Sequence, residues 1–299
     1  MSGGLPPGPD GVAVVDKPAG WTSHDAVARA RRLLGTRKVG HSGTLDPDAT
    51  GVLVLGVGKA TRLLRYLLPL GKAYEAEIVL GVETTTLDAA GEVTARHDMG
   101  GVTVDDARRV AAGQLTGPIL QVPPMVSALK VDGRRLHELA RQGIEVEREA
   151  RPVTVHAFAL DEVPGEPGVL RATVECSSGT YVRTLAADLG RALGGGAHLR
   201  ALRRTAVGTF TLDAAVALDD LEPGHLRPPA AAVAHLPAVT VEGHVAVAVG
   251  HGKVLDRPTV GLPAEGDGPW AVLDPAGALV AVYVAHRDDT VKPELVIPA

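Results

Sequence analysis

Residues 37–58 read RKVGHSGTLDPDATGVLVLGVG. The stretch opens on a cationic cluster of Arg37, Lys38 and His41, passes through a turn of Gly, Pro and Asp, and ends in an apolar run of strand length. Asp46 sits on the turn between Leu45 and Pro47, and the proline fixes the backbone after it. Gly40, Gly43 and Gly51 carry no Cβ and leave room for a bulky ligand to approach the main chain. A carboxylate on such a turn, beside cations, suits a nucleophile or base acting on a polyanion. The same residues also suit a surface turn whose Asp caps a helix or bonds its own backbone. Asp48 lies two residues on, and local chemistry does not choose between the two acids.

Working outward, strands and helices are mixed along the chain, which predicts an α+β protein. Residues 11–16 read as a strand. Thr22 or Ser23 then offers an N-cap, Asp25 completes a capping box, and Gly35 stops the helix. Strands are expected at 52–57, 72–80, 152–162 and 168–176, and helices at 60–68, 105–115 and 180–193. Residues 117–150 are punctuated by Pro and Gly around a short basic helix, as in an insertion or lid. Pro and Ala enrich at 221–238, which places a boundary near 236. Beyond it HVAVAVG, PWAVLD and ALVAVYVAH read as short strands of a small β-rich domain, 237–299.

Composition narrows the function. Hydrophobic residues are 45% and charged residues 22% of 299, ordinary for a soluble protein. One cysteine, Cys176, allows no internal disulfide and no thiolate metal cage. The first residues lack the basic and apolar regions of a signal peptide, and no unbroken apolar run has membrane length, so a cytoplasmic protein is expected. The net charge of -5 argues against a general nucleic-acid binder, yet basic residues cluster. Arg29, Arg31, Arg32, Arg37 and Lys38 form one group; Lys130, Arg134, Arg135, His137 and Arg141 a second; Arg191, His198, Arg200, Arg203 and Arg204 a third. Each reads as a solvated helix face, and together they point to an anionic partner. GVGKAT at 56–61 fails as a phosphate loop, because Ala60 follows Lys59 and Leu53 stands where a glycine is needed. The 11 histidines show no ligand spacing, so no metal is expected. Arg183 opens an apparent helix against its dipole, which calls for a carboxylate partner or a surface position. Tyr74, one of 4 tyrosines, is either a half-buried sheet residue or a platform for a base.

GHSGTLDPDATGVLVLGVGKATRLL resembles the catalytic motif of the TruB family of tRNA pseudouridine synthases. DKPAGWTSHD at 16–25, KAYEAEIVLG at 72–81, VPPMVSALKVDGRRLHELARQG at 122–143, and SSGTYVRTLAADLG with GGGAHLRALRRTAVG follow that family in order and spacing. The resemblance covers residue 11 to about 210 and implies the pseudouridine synthase fold, a central mixed, largely antiparallel sheet flanked by helices, with a PUA-like domain at 237–299. It implies conversion of uridine 55 in the tRNA T-loop to pseudouridine by base flipping, with no cofactor, no obligate protein partner and a monomeric enzyme. Asp46 then matches the catalytic aspartate, Arg183 its arginine partner, and Tyr74 the ring that stacks on the flipped base. His41, Asp88, Leu202, Lys17, Arg62, Arg134 and Arg141 are expected on the substrate side. The sequence departs from the family at Asp48, usually apolar, and at Ser178, often Lys. A non-catalytic RNA-binding or tRNA-folding module and a guide-dependent synthase remain as alternatives.

Overall fold

The computed structural model describes residues 8–127, 129–131 and 133–298, apart from the side chains of Lys130, Val131, Arg135, His137 and Arg141. The chain opens with β1 (Gly11–Lys17), α1 (Ser23–Leu33), β2 (Val39–His41) and β3 (Thr50–Val57). A 3₁₀ stretch, Gly58–Leu63, leads into α2 (Leu64–Leu67) and β4 (Lys72–Leu80). A small hairpin of β5 (Val82–Thr84) and β6 (Val93–Arg96) precedes α3 (Val104–Gln114) and β7 (Gly117–Gln121). The insertion continues with β8 (Lys130–Val131), β9 (Arg134–Arg135) and α4 (Leu136–Arg141). The body is completed by β10 (Arg151–Glu162), β11 (Val169–Cys176), α5 (Val182–Ala192), β12 (Ala197–Val207), β13 (Phe210–Thr211) and β14 (Val216–Ala217).

One ten-stranded sheet organises these elements in the order β14-β1-β3-β12-β4-β11-β10-β7, with β2 on β3 and β13 on β12. Its pairs are antiparallel except β1 with β14 and β3 with β12. β3 is apolar on both faces because both are covered. One core packs α3 and α5 on β4, β10, β11 and β12, and another packs α1 on β1 and β3. Thr22 caps α1 and Asp25 closes the capping box; Thr103 and Asp106 do the same for α3. Gly51 is required at φ 100°, and a Cβ there would collide with the backbone of Arg204 on β12. The space expected for a ligand at Gly51 is therefore filled by the neighbouring strand, and that at Gly40 by Leu64.

Three expectations change. The third basic cluster is not a helix face: most of it lies on β12, in the middle of the sheet. Its charges are absorbed internally, Arg200 by Glu77 and Glu166, Arg203 by Asp16, and Arg191 by Asp188. HVAVAVG is not a strand but α6, once β15 (Ala238–Thr240) has been passed; α6 spans Gly243–Gly250 and buries Val249 while Val247 stays exposed. Its Val/Ala alternation mimics a period of two, while Val245 and Val249 are also four apart on one helix face. The insertion is anchored more firmly than its composition suggests: β7 is an edge strand of the main sheet, and Leu136 and Leu139 of α4 are buried.

β16 (Leu255–Asp256), α7 (Arg257–Val260), β17 (Trp270–Leu273), β18 (Leu279–Ala285) and β19 (Thr290–Val296) complete a second sheet, ordered β15-β17-β18-β19-β16. It has its own core around Trp270 and Tyr283. A further apolar cluster spans both sheets, joining Leu63, Leu67 and Val54 to Leu279, Leu295 and Ile297.

Candidate active site

The turn carrying Asp46 is held at every carbonyl from 43 to 47. Arg204 donates from Nη2 to Gly43 O at 3.2 Å and from Nη1 to Thr44 O at 3.4 Å. Ser23 Oγ donates to Leu45 O at 3.2 Å and accepts from Leu45 N at 2.9 Å. Ala49 N donates to Asp46 O, and Lys17 Nζ to Pro47 O at 2.9 Å. This network leaves the Asp46 side chain projecting from a rigid backbone.

Arg183 meets it from the first turn of α5. Arg183 is 3% exposed, and all five donors of its guanidinium have partners. Nε lies 3.0 Å from Asp46 Oδ2 and Nη2 lies 3.2 Å from Asp46 Oδ1, a two-point grip. Nη2 also donates to Val126 O at 2.9 Å, and Nη1 to Thr86 O at 2.9 Å beside Asp88 Oδ2 at 3.3 Å. Asp88 is oriented in turn by Thr86 Oγ1 and Ala90 N. Gln121, buried at the end of β7, accepts from Tyr181 N at 2.7 Å and donates to Tyr181 O at 3.1 Å, fixing the residue just before α5. Burial pushes the Asp46 carboxyl above the usual carboxylate range; Arg183 pulls it down and Asp88 pushes it up further. With 42% of its side-chain surface still open, water tempers that rise.

Asp46 and Arg183 line a cavity of about 250 Å³ with Tyr74, Leu202, Lys72, Arg204 and Ser178. That is below the ~300–1,000 Å³ of sites for drug-sized molecules and suits one nucleoside. Tyr74 is buried beside the Arg204 guanidinium. Burial holds the Tyr74 phenol above its ordinary value, with Arg204 opposing, so it stays protonated at neutral pH. A second cavity of about 400 Å³ lies against the other side of the Asp46–Arg183 pair, lined also by Asp48, Asp88 and Leu202. Asp46 and not Asp48 meets the arginine; Asp48 is exposed.

The remaining expected residues divide. His41 stands outside the cavity wall, edge-on to His24 with ring centroids 5.5 Å apart, and its Nδ1 is buried with no hydrogen-bond partner among the described residues. Asp88 touches Arg183 and not the smaller cavity. Lys17 is a correction: it is 0% exposed, and its three donors go to Pro18 O, Trp21 O and Pro47 O. It braces the turn from beneath and faces no ligand. Arg62 is exposed and donates to Val296 O on β19, outside the cavity wall. Arg134 is bonded to Gln142, away from the cavity, and the Arg141 side chain lies outside the described residues. Sequence reasoning missed Ser23 as a clamp, Gln121, Lys72 and the central place of Arg204. An arginine within an otherwise alternating LRALRRTAV segment was the available signal for Arg204.

The model of the TruB family pseudouridylate synthase N-terminal domain matches residues 31–182, and that of the tRNA pseudouridylate synthase B C-terminal domain matches 183–227. The chain belongs to the TruB family. Asp46 thus lies in the family's N-terminal segment and Arg183 opens its C-terminal one. The matched C-terminal segment ends before the second sheet and contributes β12, at the centre of the synthase body. The chain is 50% identical over 295 residues to a tRNA pseudouridine synthase B of Arthrobacter sp. (strain FB24), covering 96% of both. It is 54% identical over 246 residues to that of Symbiobacterium thermophilum, covering 81% of this TruB chain and 82% of the relative. Among solved structures, a Cbf5-Nop10-Gar1 complex matches with a TM-score of 0.75 at 30% identity, covering 96% of this chain and 85% of that one. An H/ACA RNP bound to a substrate RNA containing 2'-deoxyuridine matches at 0.71 and 27% identity, covering 99% and 92%.

Proposed function

We infer that this TruB chain isomerises uridine 55 of the tRNA T-loop to pseudouridine, as a stand-alone cytoplasmic enzyme, with Asp46 as the catalytic carboxylate. The observation that carries the reading is the two-point grip of Arg183 on Asp46 at the wall of a nucleoside-sized cavity beside Tyr74. Full-length similarity to proteins named tRNA pseudouridine synthase B supports tRNA as the substrate.

The reaction breaks the N1–C1′ bond of uridine, turns the ring and forms C5–C1′; the proton lost from C5 is balanced by one gained at N1. It is an isomerisation, so no electrons or external energy enter. The base first leaves its stack at a cost of a few kcal/mol, which stacking on Tyr74 and polar contacts offset. Asp46 must be ionised to act on ribose or base, and Arg183 favours that form against the desolvation of the site. Asp88 and Gln121 hold Arg183 and its helix in place.

The solved relatives held in complexes with Nop10 and Gar1 make the guide-dependent alternative concrete. Purified protein is incubated with unmodified tRNA and no other factor, and pseudouridine at position 55 is measured. Turnover by the wild type, abolished in Asp46→Asn with tRNA affinity kept within a few-fold, is the expected result. A wild type inert without added factors sinks the stand-alone reading, and full activity in Asp46→Asn sinks the assignment of the carboxylate.

A further inference from the structure

We propose that Lys72 holds the phosphodiester of the flipped nucleotide at the cavity. The proposal rests on the tRNA reading above and adds to it the group that grips the backbone of the extruded residue.

Three cations line the cavity: Lys72, Arg183 and Arg204. Arg183 has all its donors committed and is balanced by Asp46 and Asp88. Arg204 is sealed at 1% exposure, bonded to Val52 O, Gly43 O and Thr44 O. Lys72 is only half-buried. Its Nζ donates to Leu68 O at 2.7 Å and Leu70 O at 2.6 Å, the backbone just beyond α2. An ammonium carries three donors, so one remains for a ligand. Among the described residues no carboxylate pairs with it; the groups that act on its charge are Arg204 and Cys176. The cavity therefore offers an uncompensated, reachable positive charge on a pre-aimed side chain.

Its position fits a phosphate better than a base. Lys72 and Tyr74 are two apart on β4, on the same face and roughly 6.5 Å apart along the strand. A ring stacked on Tyr74 places the backbone of its own nucleotide, one ribose away, toward Lys72. Ser177, Ser178, Gly179 and Thr180 line the same cavity and bring no charge, so Lys72 is the group there that neutralises a phosphate. Burial, then the nearby Arg204 charge, lowers the Lys72 ammonium to about 8, and a bound phosphate would draw the proton back on.

The test uses purified full-length protein with unmodified tRNA, comparing wild type, Lys72→Met and Lys72→Arg. Lys72→Met should raise KM by about tenfold or more with kcat within a few-fold, as expected for loss of a charged hydrogen bond. Its log affinity should fall less steeply with log salt, by about one unit of slope. In the wild type, affinity should weaken as pH rises through about 8; Lys72→Arg, charged throughout, should restore affinity and lack that limb. A raised KM with an unchanged salt slope would mean a contact to a base carbonyl and would overturn the proposal, as would an unchanged KM. If Lys72→Met does not fold, the Lys72→Arg profile decides: the wild-type limb persisting in it overturns the proposal. A wild type with no turnover on tRNA fails the underlying functional reading, which is seen before any Lys72 variant is compared.

Discussion

Asp46 is set between opposing influences, and the balance sets how the enzyme responds to acid. Burial and Asp88 raise its pKa, while Arg183 lowers it, with the net above the ordinary carboxylate value of about 3.9. With Asp46 as the proposed catalytic carboxylate acting in its ionised form, activity should be present above that raised pKa and be lost as pH falls through it. Asp88→Asn removes a neighbouring negative charge and keeps the shape that meets Thr86 and Ala90. The acid limb of kcat should then move to lower pH, read from single-turnover rates at saturating tRNA. A limb that stays put or moves upward would show that Asp88 acts on Asp46 only through Arg183. The Tyr74 ring shares the cavity wall with Arg204, which holds the Gly43 and Thr44 carbonyls. Tyr74→Phe keeps the stacking ring and removes the hydroxyl that faces the Arg204 charge, at a cost of about 1 kcal/mol. The variant should be less stable and moderately slower with an unshifted pH profile. A dead but fully stable Tyr74→Phe enzyme would instead give the hydroxyl a part in proton transfer.

At the scale of the element, the turn from 43 to 47 behaves as one clamped unit. Lys17→Met would take the shared charged donor away from three carbonyls, those of Pro18, Trp21 and Pro47. It should lower the melting temperature and kcat together while tRNA affinity holds, with stability falling by about 1–3 kcal/mol. A raised KM in a protein of unchanged stability would return Lys17 to the RNA face. Such clamps explain what was legible. α1 and α3 announce themselves by capping boxes at Thr22 and Thr103, and β4, β10 and β11 by alternation, because caps and alternation are local signals. Asp46, Arg183 and Tyr74 were legible as a motif, and the fold brings all three to one cavity. β12 was not legible. Its arginines look solvated until Asp16, Glu77 and the Val52 carbonyl, each more than 100 residues away, arrive to pair with them. Lys17 misled for the same reason: a cation's partner is a tertiary fact, and nothing in the adjacent residues names it.

For the whole molecule, the question is how far the second sheet stands apart from the synthase body. Composition around 221–238 suggests a junction between separable units. The structure instead packs Leu279, Leu295 and Ile297 against Val12, Val54, Leu63 and Leu67 in a single apolar cluster. Around it Lys59 donates to Pro298 O, Arg62 to Val296 O, and the Tyr66 hydroxyl to Glu294 at 2.7 Å. The Arg65–Glu294 pair at 3.2 Å is half exposed and adds little by itself. The apolar contact is the larger contribution, since each buried aliphatic side chain is worth about 1.5–3 kcal/mol. The 3₁₀ stretch Gly58–Leu63 and α2 that receive this contact lead directly into β4, which carries Lys72 and Tyr74. A chain ending at Leu236 would expose that surface and loosen the approach to the cavity. It should melt at least ~10 °C below the full-length protein, on the scale of about 2–4 °C per kcal/mol for a body of this size. It should bind a hydrophobic dye that the full-length protein does not, and lose turnover even at saturating tRNA. A truncated protein with the full-length melting temperature and kcat, impaired only in KM, would show the second sheet to be an independent RNA-binding appendage and the shared cluster to be energetically idle.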